Sequence, residues 1–518
     1  MVGGGLFALV AYGAQNILLS GNPDFTYFYK AYKRYTHFAE ESVTQPLEGP
    51  QELSIDQPIK VRLKIQRVAD LVRDMYLVVN LPDIYCKYID LVALQGARES
   101  QVNFNWTRYI GCHMIQSVGF YIGGQKIQEF TGDYLIAKAQ ADLPNTQFEK
   151  WRRLVGDVPE LYDPARGAWA GGSAGAGYPL VYPDPANSNL NRPSIFGRQL
   201  QIPLPFWFTE DPSLALPLLS LQYQICEVQV TFRPIQSLYQ VLDASGNRVA
   251  PGYYQLPLNP SEPMNPAYVQ TNDSFTNFAN FLVDWAAPLP LIPTWQLNPR
   301  IQATYVYLTD DERKLFATMP LQYLVRQVTP YSFPGLVSRE FAQIRTHNPI
   351  NRLFLLPRRS DSLPNRNDVA NFSNWPFGKA PWVAPVTPYP PFVLSAEATG
   401  QLIPVAGQNP ILQTLQILGD GNPLQEEKPI SYFSETVPWK YLAGNPDPNL
   451  TIYPFALHSP NTQPDGSINS SRIRLFQVDI NPYPLLQDTN YAYNVDIYVE
   501  NLNWVNVAGG MGGLKYAL

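Results

Sequence analysis

The stretch IKVRLKIQ, residues 59–66, alternates apolar Ile59, Val61, Leu63 and Ile65 with polar Lys60, Arg62, Lys64 and Gln66. A period of two puts all four apolar side chains on one face of an extended chain, so the stretch predicts a half-buried β-strand. The same alternation returns near the C-terminal end, where Tyr491, Tyr493, Val495, Ile497 and Val499 interleave with Ala492, Asn494, Asp496, Tyr498 and Glu500. Strands therefore bracket the chain. Between them, Leu221, Tyr223 and Ile225 give way to Val228, Val230 and Phe232, a change of phase that predicts a β-bulge near Glu227. In SVGFYIGGQKIQEF, residues 117–130, the pair Gly123-Gly124 supplies the positive φ that a two-residue hairpin turn requires.

Composition supports the same class. The 518 residues include 50 prolines, almost twice the usual share of about 5%, and these are spread among apolar segments. An internal proline costs a helix about 3 kcal/mol, so this spread argues against long helices and for short strands joined by stiff loops. The clearest helix is TDDERKLFATM, residues 309–319, where Thr309 and Glu312 have capping-box spacing and Asp310 and Asp311 sit at the positive end of the dipole. Segments 163–195, 236–297 and 360–430 are rich in Gly, Pro and Asn and read as long surface loops. Charged residues are 15% of the chain against a usual value of about 25%, while aromatics reach 13%, so much of the surface is expected to be covered by partners.

Several function classes are excluded or disfavoured. A net charge of −6 without a basic run gives no electrostatic footprint for nucleic acid. Cys86, Cys112 and Cys226 form no even framework and no CxxC pair, which fits a compartment where thiols stay reduced. The apolar run LFALVAYGAQNILL lacks a basic leader and is interrupted by Gln15 and Asn16, so neither a signal peptide nor an anchor is expected. FANFLVDWAAPLPLIPTW, residues 278–295, is broken by Asp284 and by prolines and reads as a connection, not a membrane span.

No catalytic, cofactor or metal site is expected. His37, His113, His347 and His458 are dispersed, and Cys112-His113 alone pairs two ligand types, short of the four that zinc needs. There is no GxSxG elbow, HExxH helix or Walker loop, and GGSAGAGYP, residues 171–179, lacks the lysine that a phosphate cradle requires. Asp310, Asp311 and Glu312 are adjacent on a helix and point apart, so capping explains them better than catalysis. Phe206, Trp207 and Phe208 read as packing residues in a proline-bearing strand. Sequons at Asn105, Asn272, Asn371, Asn449 and Asn469 are candidate glycan acceptors only if the surface presents them.

The order of several blocks resembles the major capsid proteins of nucleocytoplasmic large DNA viruses. They are GGGLFALVAYGAQNILLSGNPDFTYFYKAYKRYTHFA (3–39), IGGQKIQEFTGDYL (122–135), LQIPLPFWFTEDPSLALPLLSLQYQICEV (200–228), TYVYLTDDERKLFA (304–317), HNPINRLFLLPRRSD (347–361), IYPFALHSPNTQPDGSINSSRI (452–473) and MGGLKY (511–516). The resemblance implies an all-β chain of two consecutive eight-stranded antiparallel jelly rolls with long loops and a few short helices. Expected boundaries are an N-terminal arm at 1–24, a first jelly roll at 25–235, a connecting segment at 236–297 and a second jelly roll at 298–518. It further implies a structural protein without enzymatic activity or cofactor. Homotrimeric, pseudo-hexagonal capsomers would tile an icosahedral virion capsid assembled in the host cytoplasm. Implied partners are copies of itself, minor capsid and penton proteins, and an internal viral membrane near the N-terminal arm. A minor capsid or spike protein of the same lineage is the nearest alternative. A β-sandwich carbohydrate-binding protein is a second, and glycan-array binding would distinguish it. A β-rich glycoside hydrolase would need two carboxylates about 5 to 9.5 Å apart across a cleft, and the sequence marks no such pair.

Overall fold

The computed structural model describes residues 3–85, 88–89, 100–101, 103–162, 182–184, 187–242, 248–249, 278–282, 295–374, 410–459, 463–485 and 491–516. Its first half holds eight principal strands: β1 (Phe38–Pro46), β2 (Ile59–Lys64), β3 (Leu71–Asn80), β4 (Ile115–Ile122), β5 (Gln125–Phe130), β6 (Gln199–Pro203), β7 (Cys226–Phe232) and β8 (Arg300–Leu308). They form two antiparallel sheets ordered β1-β8-β3-β6 and β2-β7-β4-β5. The second half repeats the scheme with β9 (Leu321–Leu336), β10 (Glu340–Ile344), β11 (Pro349–Arg359), β12 (Leu412–Gly419), β13 (Asn422–Pro429), β14 (Thr451–Pro454), β15 (Phe476–Pro482) and β16 (Tyr493–Ala508), and β17 (Met511–Leu514) is added beside β16. Its sheets run β9-β16-β11-β14 and β10-β15-β12-β13. Adding eight to every strand number of the first barrel gives the second, so the two are jelly rolls of identical topology although no letter-by-letter repeat joins their sequences.

Local chemistry accounts for these strands. Val61 and Leu63 of β2 are buried while Lys60, Arg62 and Lys64 are exposed, as the alternation predicts. In the β4–β5 hairpin Ile122 pairs with Gln125, and Gly123 and Gly124 have φ of +56° and +83°. Both central residues thus lie in the left-handed region, as a type I′ turn demands.

The structure departs from the sequence reading in definite places. Leu221–Ile225 is a turn and not a strand, and β7 starts only at Cys226. The change of phase at Glu227 is therefore the start of a strand, and the one irregularity against β4 falls between Thr231 and Phe232. Trp207–Glu210 is a single helical turn instead of part of a strand. Arg300–Leu308, expected to open the second barrel, hydrogen-bonds to β1 and β3 and closes the first. The N-terminal arm extends past residue 24, because every residue from 3 to 42 is exposed and β1 begins at Phe38. Segment 360–430 is not all loop, since it contains β12 and β13.

Among helices, α1 spans Gly4–Val10, α2 Gly132–Asp142, α3 Asn145–Val155 and α4 Asp310–Thr318. Helix α4 forms where expected, with its three acids in the first turn, but the Thr309 side chain makes no capping hydrogen bond. Helices α2 and α3, eleven residues each, are additions to the predicted inventory. Among the described residues no helix is long and apolar enough to cross a membrane.

The turn gives a direct test. Gly124 has open space around its Cα, so a side chain there meets backbone strain and not a clash. Gly124→Val is expected to lower unfolding stability by about 1–2 kcal/mol, with Gly124→Asn recovering most of it, because Asn tolerates the left-handed region. Denaturant midpoints at constant slope would measure both.

Candidate assembly site

A protein that works by contact needs rigid blocks and surfaces to join them. The block begins with sheet β9-β16-β11-β14, whose central strands are covered on both faces along residues 352–359 of β11 and 497–501 of β16. Along β16, Val495, Ile497 and Val499 enter the core of the second barrel, while Tyr498 joins the core that is continuous with the first. Along β11, Leu353 and Leu355 face the second barrel, whereas Phe354 and Leu356 face the first. A strand buried on both faces reads as a continuous apolar run, which explains LFLLP at 353–357.

Helix α2 fills the seam. Thr131 Oγ1 accepts from the Tyr134 amide at 3.3 Å and donates to the Tyr498 hydroxyl at 3.0 Å, tying the start of the helix to β16. At Gly132 an added Cβ would overlap the Cys112 carbonyl oxygen, so the helix can lie this close only with glycine there. Tyr134 meets Phe354 edge-on at 5.5 Å and Tyr498 at 5.9 Å. All residues from Gly132 to Ala141 except Lys138 are buried, so the helix has core on both sides.

Charges are buried in the same seam. The Arg352 guanidinium, 1% exposed, donates to Glu500 at 2.5 Å, to the two Asp142 oxygens at 2.5 and 2.9 Å, and to Ser459 Oγ at 2.7 Å. Lys138 lies 2.9 Å from Asp142 and 3.3 Å from Glu210, while Arg326 lies 3.4 Å from both Glu210 and Glu500. The Tyr134 hydroxyl donates to Glu500 at 3.2 Å. Lys138, Asp142 and Glu210 come from the first half, and Arg326, Arg352 and Glu500 from the second. Each half alone would bury an unbalanced charge of one unit, and the two units have opposite sign. Burial by itself would raise the Glu500 carboxyl, but Arg352, Lys138 and Arg326 outweigh it and hold it below its ordinary range. Asp142 is shifted the same way, with Arg352 and Lys138 overcoming burial.

A second pairing runs beside the first. Asp133 takes Arg358 of the second half at 2.9 Å and Arg233 of the first at 3.2 Å. Burial opposes ionisation, yet these two cations hold Asp133 at about 2. Backbone contacts complete the seam: Gln128 donates to the Arg326 carbonyl at 2.7 Å, and Gln327 donates to that of Ile127 at 2.8 Å. At the far end the β16–β17 hairpin docks on the 221–225 turn. The Tyr223 amide donates to the Gly510 carbonyl at 3.0 Å and the Gly512 amide to Gln224 Oε1 at 2.6 Å. A Cβ at Gly512 would lie 2.7 Å from a Leu221 methyl, which gives the MGG motif a packing role.

The predicted residues fall outside this seam or serve as packing. Phe206, Trp207 and Phe208 are buried around Phe120, with centroids 5.1–5.5 Å away. Cys112 and His113 are both buried; His113 Nε2 donates to the Ser237 carbonyl at 3.1 Å, and burial together with Arg233 pushes its imidazole down to about 3. Asp310 and Asp311 lie exposed on α4. Asn105 and Asn371 are 7% and 3% exposed, which leaves no room for a glycan on the folded chain. Asn449 is half-buried and Asn469 exposed, while Asn272, Cys86 and residues 171–179 lie outside the described residues. Reading from sequence missed Arg352, Asp142 and Glu500. The one available signal was charge inside strongly apolar strands, as at Arg352 before LFLL.

On the outside, large apolar side chains stand in water on the body at Phe196, Tyr223, Ile225, Val337, Phe341, Leu457 and Trp439, the last 87% exposed. Such residues form contact surfaces where they lie together in one patch.

Residues 26–265 match the family described as major capsid protein N-terminus, and residues 312–513 match large eukaryotic DNA virus major capsid protein. The chain is 28% identical over 554 residues to the major capsid protein of Phaeocystis pouchetii virus, with 99% of each chain covered. It is 25% identical over 538 residues to that of Paramecium bursaria Chlorella virus 1, again with 99% of each covered. Among solved structures, the quasi-atomic PBCV-1 virus capsid aligns with a TM-score of 0.62 at 20% identity, covering 95% of this chain and 100% of the other. The Faustovirus major capsid protein aligns with a TM-score of 0.61 at 14% identity, covering 97% and 96%. The structural likeness is one of fold, two jelly rolls in one polypeptide.

Two outcomes follow from the buried charges. Arg352→Met strands two carboxylates in the seam and is expected to cost about 3–5 kcal/mol in chemical denaturation, partly restored by adding Glu500→Gln. Because Asp133 is depressed to about 2, its stabilisation is full above the unfolded value of about 4 and is lost as pH falls from there through about 2. Thermal melts across that window should fall for the parent and flatten for Asp133→Asn.

Proposed function

As the chain belongs to the major capsid protein family of large eukaryotic DNA viruses and is a structural, non-enzymatic protein of the virion capsid, we propose that three copies close into a pseudo-hexagonal capsomer that tiles an icosahedral shell. The observation that carries this reading is the identical strand order of the two barrels within one chain. Three copies about a three-fold axis present six similar barrels, so a trimer fills a hexagonal lattice position. The first domain of that brick runs to Leu308 and the second from Leu321, with α4 between them.

Contacts within the ring close after three copies, while contacts between rings stay open and extend the lattice. The exposed body residues, Trp439 above all, supply the apolar anchors that such contacts use. Minor capsid and penton proteins would complete edges and vertices, assembly would take place in the cytoplasm, and the N-terminal arm would face an internal membrane. Among the sequons described, Asn469 is the one that lies exposed and is the acceptor this reading favours.

Size-exclusion chromatography with light scattering is expected to give three times the chain mass. A folded monomer under every condition would remove the trimer. Deleting residues 3–20 should leave that trimer intact while lowering the yield of assembled particles.

A further inference from the structure

The arm is the part of the molecule that its own fold leaves uncovered. Residues 3–37 are all exposed, and the hydrogen bonds described there are made within the arm, such as Gly13 to Asn16 and Ser20 to Tyr12. Leu6, Phe7, Leu9 and Val10 of α1 are 74–80% exposed, and Leu18 and Leu19 further on are 89% and 92% exposed. So much apolar surface in water is unfavourable at about 25 cal/mol per Å², so a partner must cover it.

The kind of partner follows from the distribution of side chains. On α1 the large residues Leu6, Phe7, Leu9 and Val10 occupy one broad arc, and the remaining positions, Gly4, Gly5 and Ala8, carry no polar group. A helix laid on a protein surface keeps a polar face for water, whereas one apolar all round is buried, in a protein core or in lipid, and the residues that follow α1 decide between the two. No charged side chain occurs from Gly3 to Pro23. After that boundary the character changes abruptly: Phe25, Tyr27, Phe28, Tyr29, Tyr32 and Tyr35 are exposed and interleave with Lys30, Lys33 and Arg34. Lys30 lies over the Tyr32 ring at 5.4 Å. With Asp24, the arm to Phe38 has a net charge of +2 in a chain whose total is −6. An uncharged apolar segment too short to span, followed by aromatic and cationic residues, has the layering of a bilayer boundary: acyl chains, then the interfacial belt, then anionic headgroups.

We propose that residues 3–38 bind an anionic lipid surface, with Leu6–Leu19 entering the acyl boundary of one leaflet and Lys30, Lys33 and Arg34 held among acidic headgroups by the flanking tyrosines. This inference rests on the inward-facing arm of the proposed capsomer and names the surface it meets.

Flotation of the purified full-length protein would test it, using vesicles of phosphatidylcholine alone and of phosphatidylcholine with a minority of phosphatidylserine. The parent is expected to float with the acidic vesicles, and raised salt should release it. Lys30→Gln/Lys33→Gln/Arg34→Gln should lower its partition roughly 100-fold, at about fivefold per charge. Leu6→Ser/Phe7→Ser/Leu9→Ser should lower it as well with all charges kept. The proposal is overturned if the parent floats with neither vesicle, if the charge variant binds undiminished, or if the arm cross-links to the body of a second copy and its removal dissolves the oligomer. Light scattering on every variant separates the two ideas: trimers that do not float defeat the lipid reading alone, while absence of trimers in the parent defeats the capsomer.

Discussion

The architecture depends on charge neutralisation in a place without water. Arg352 meets Asp142 and Arg326 meets Glu210 across the seam, while Lys138 and Glu500 pair with these ions from within their own halves, and neither half brings a balanced set. A substitution that removes one of these ions leaves its partner buried without compensation, at a cost far above that of losing an equal apolar contact. Apolar packing along β11, β16 and α2 provides most of the cohesion. The ions add direction, because a bidentate guanidinium accepts one geometry and little else.

That geometry matters for a tile. A shell is a sum of many modest contacts, and each is productive only if the two barrels of a chain keep a constant mutual angle. The seam meets this need with three kinds of bond at different places: the buried ions at Arg352, backbone-directed amides at Gln128 and Gln327, and the β16–β17 hairpin resting on the 221–225 turn. Gly132 and Gly512 are the backbone counterpart, since both allow approaches that a side chain would block. Function here lies in shape and area, so the residues that matter most are dispersed along strands instead of gathered in a cleft.

The all-β class, β2, the Gly123-Gly124 hairpin, β16 and α4 were legible from periodicity and turn chemistry, because those signals are local. Order of blocks along the chain indicated the family and its two jelly rolls. The errors share a cause. Leu221–Ile225 alternates like a strand yet is held as a turn by Arg67, whose guanidinium reaches three of its carbonyls. Arg300–Leu308 carries no local mark of which barrel it completes, and only pairing with β1 and β3 assigns it.

Sequence by itself determined which side chains share a face of each strand, since a period of two follows from the geometry of the extended chain. It could not determine what covers that face. Tyr498 and Glu500 occupy the positions that alternation assigns to water, and a second barrel stands there instead, so a residue read as solvated is an ion buried at 0% exposure. Burial on the second face is a property of where two sheets meet, and that meeting is settled by contacts hundreds of residues apart, such as Tyr134 with Glu500.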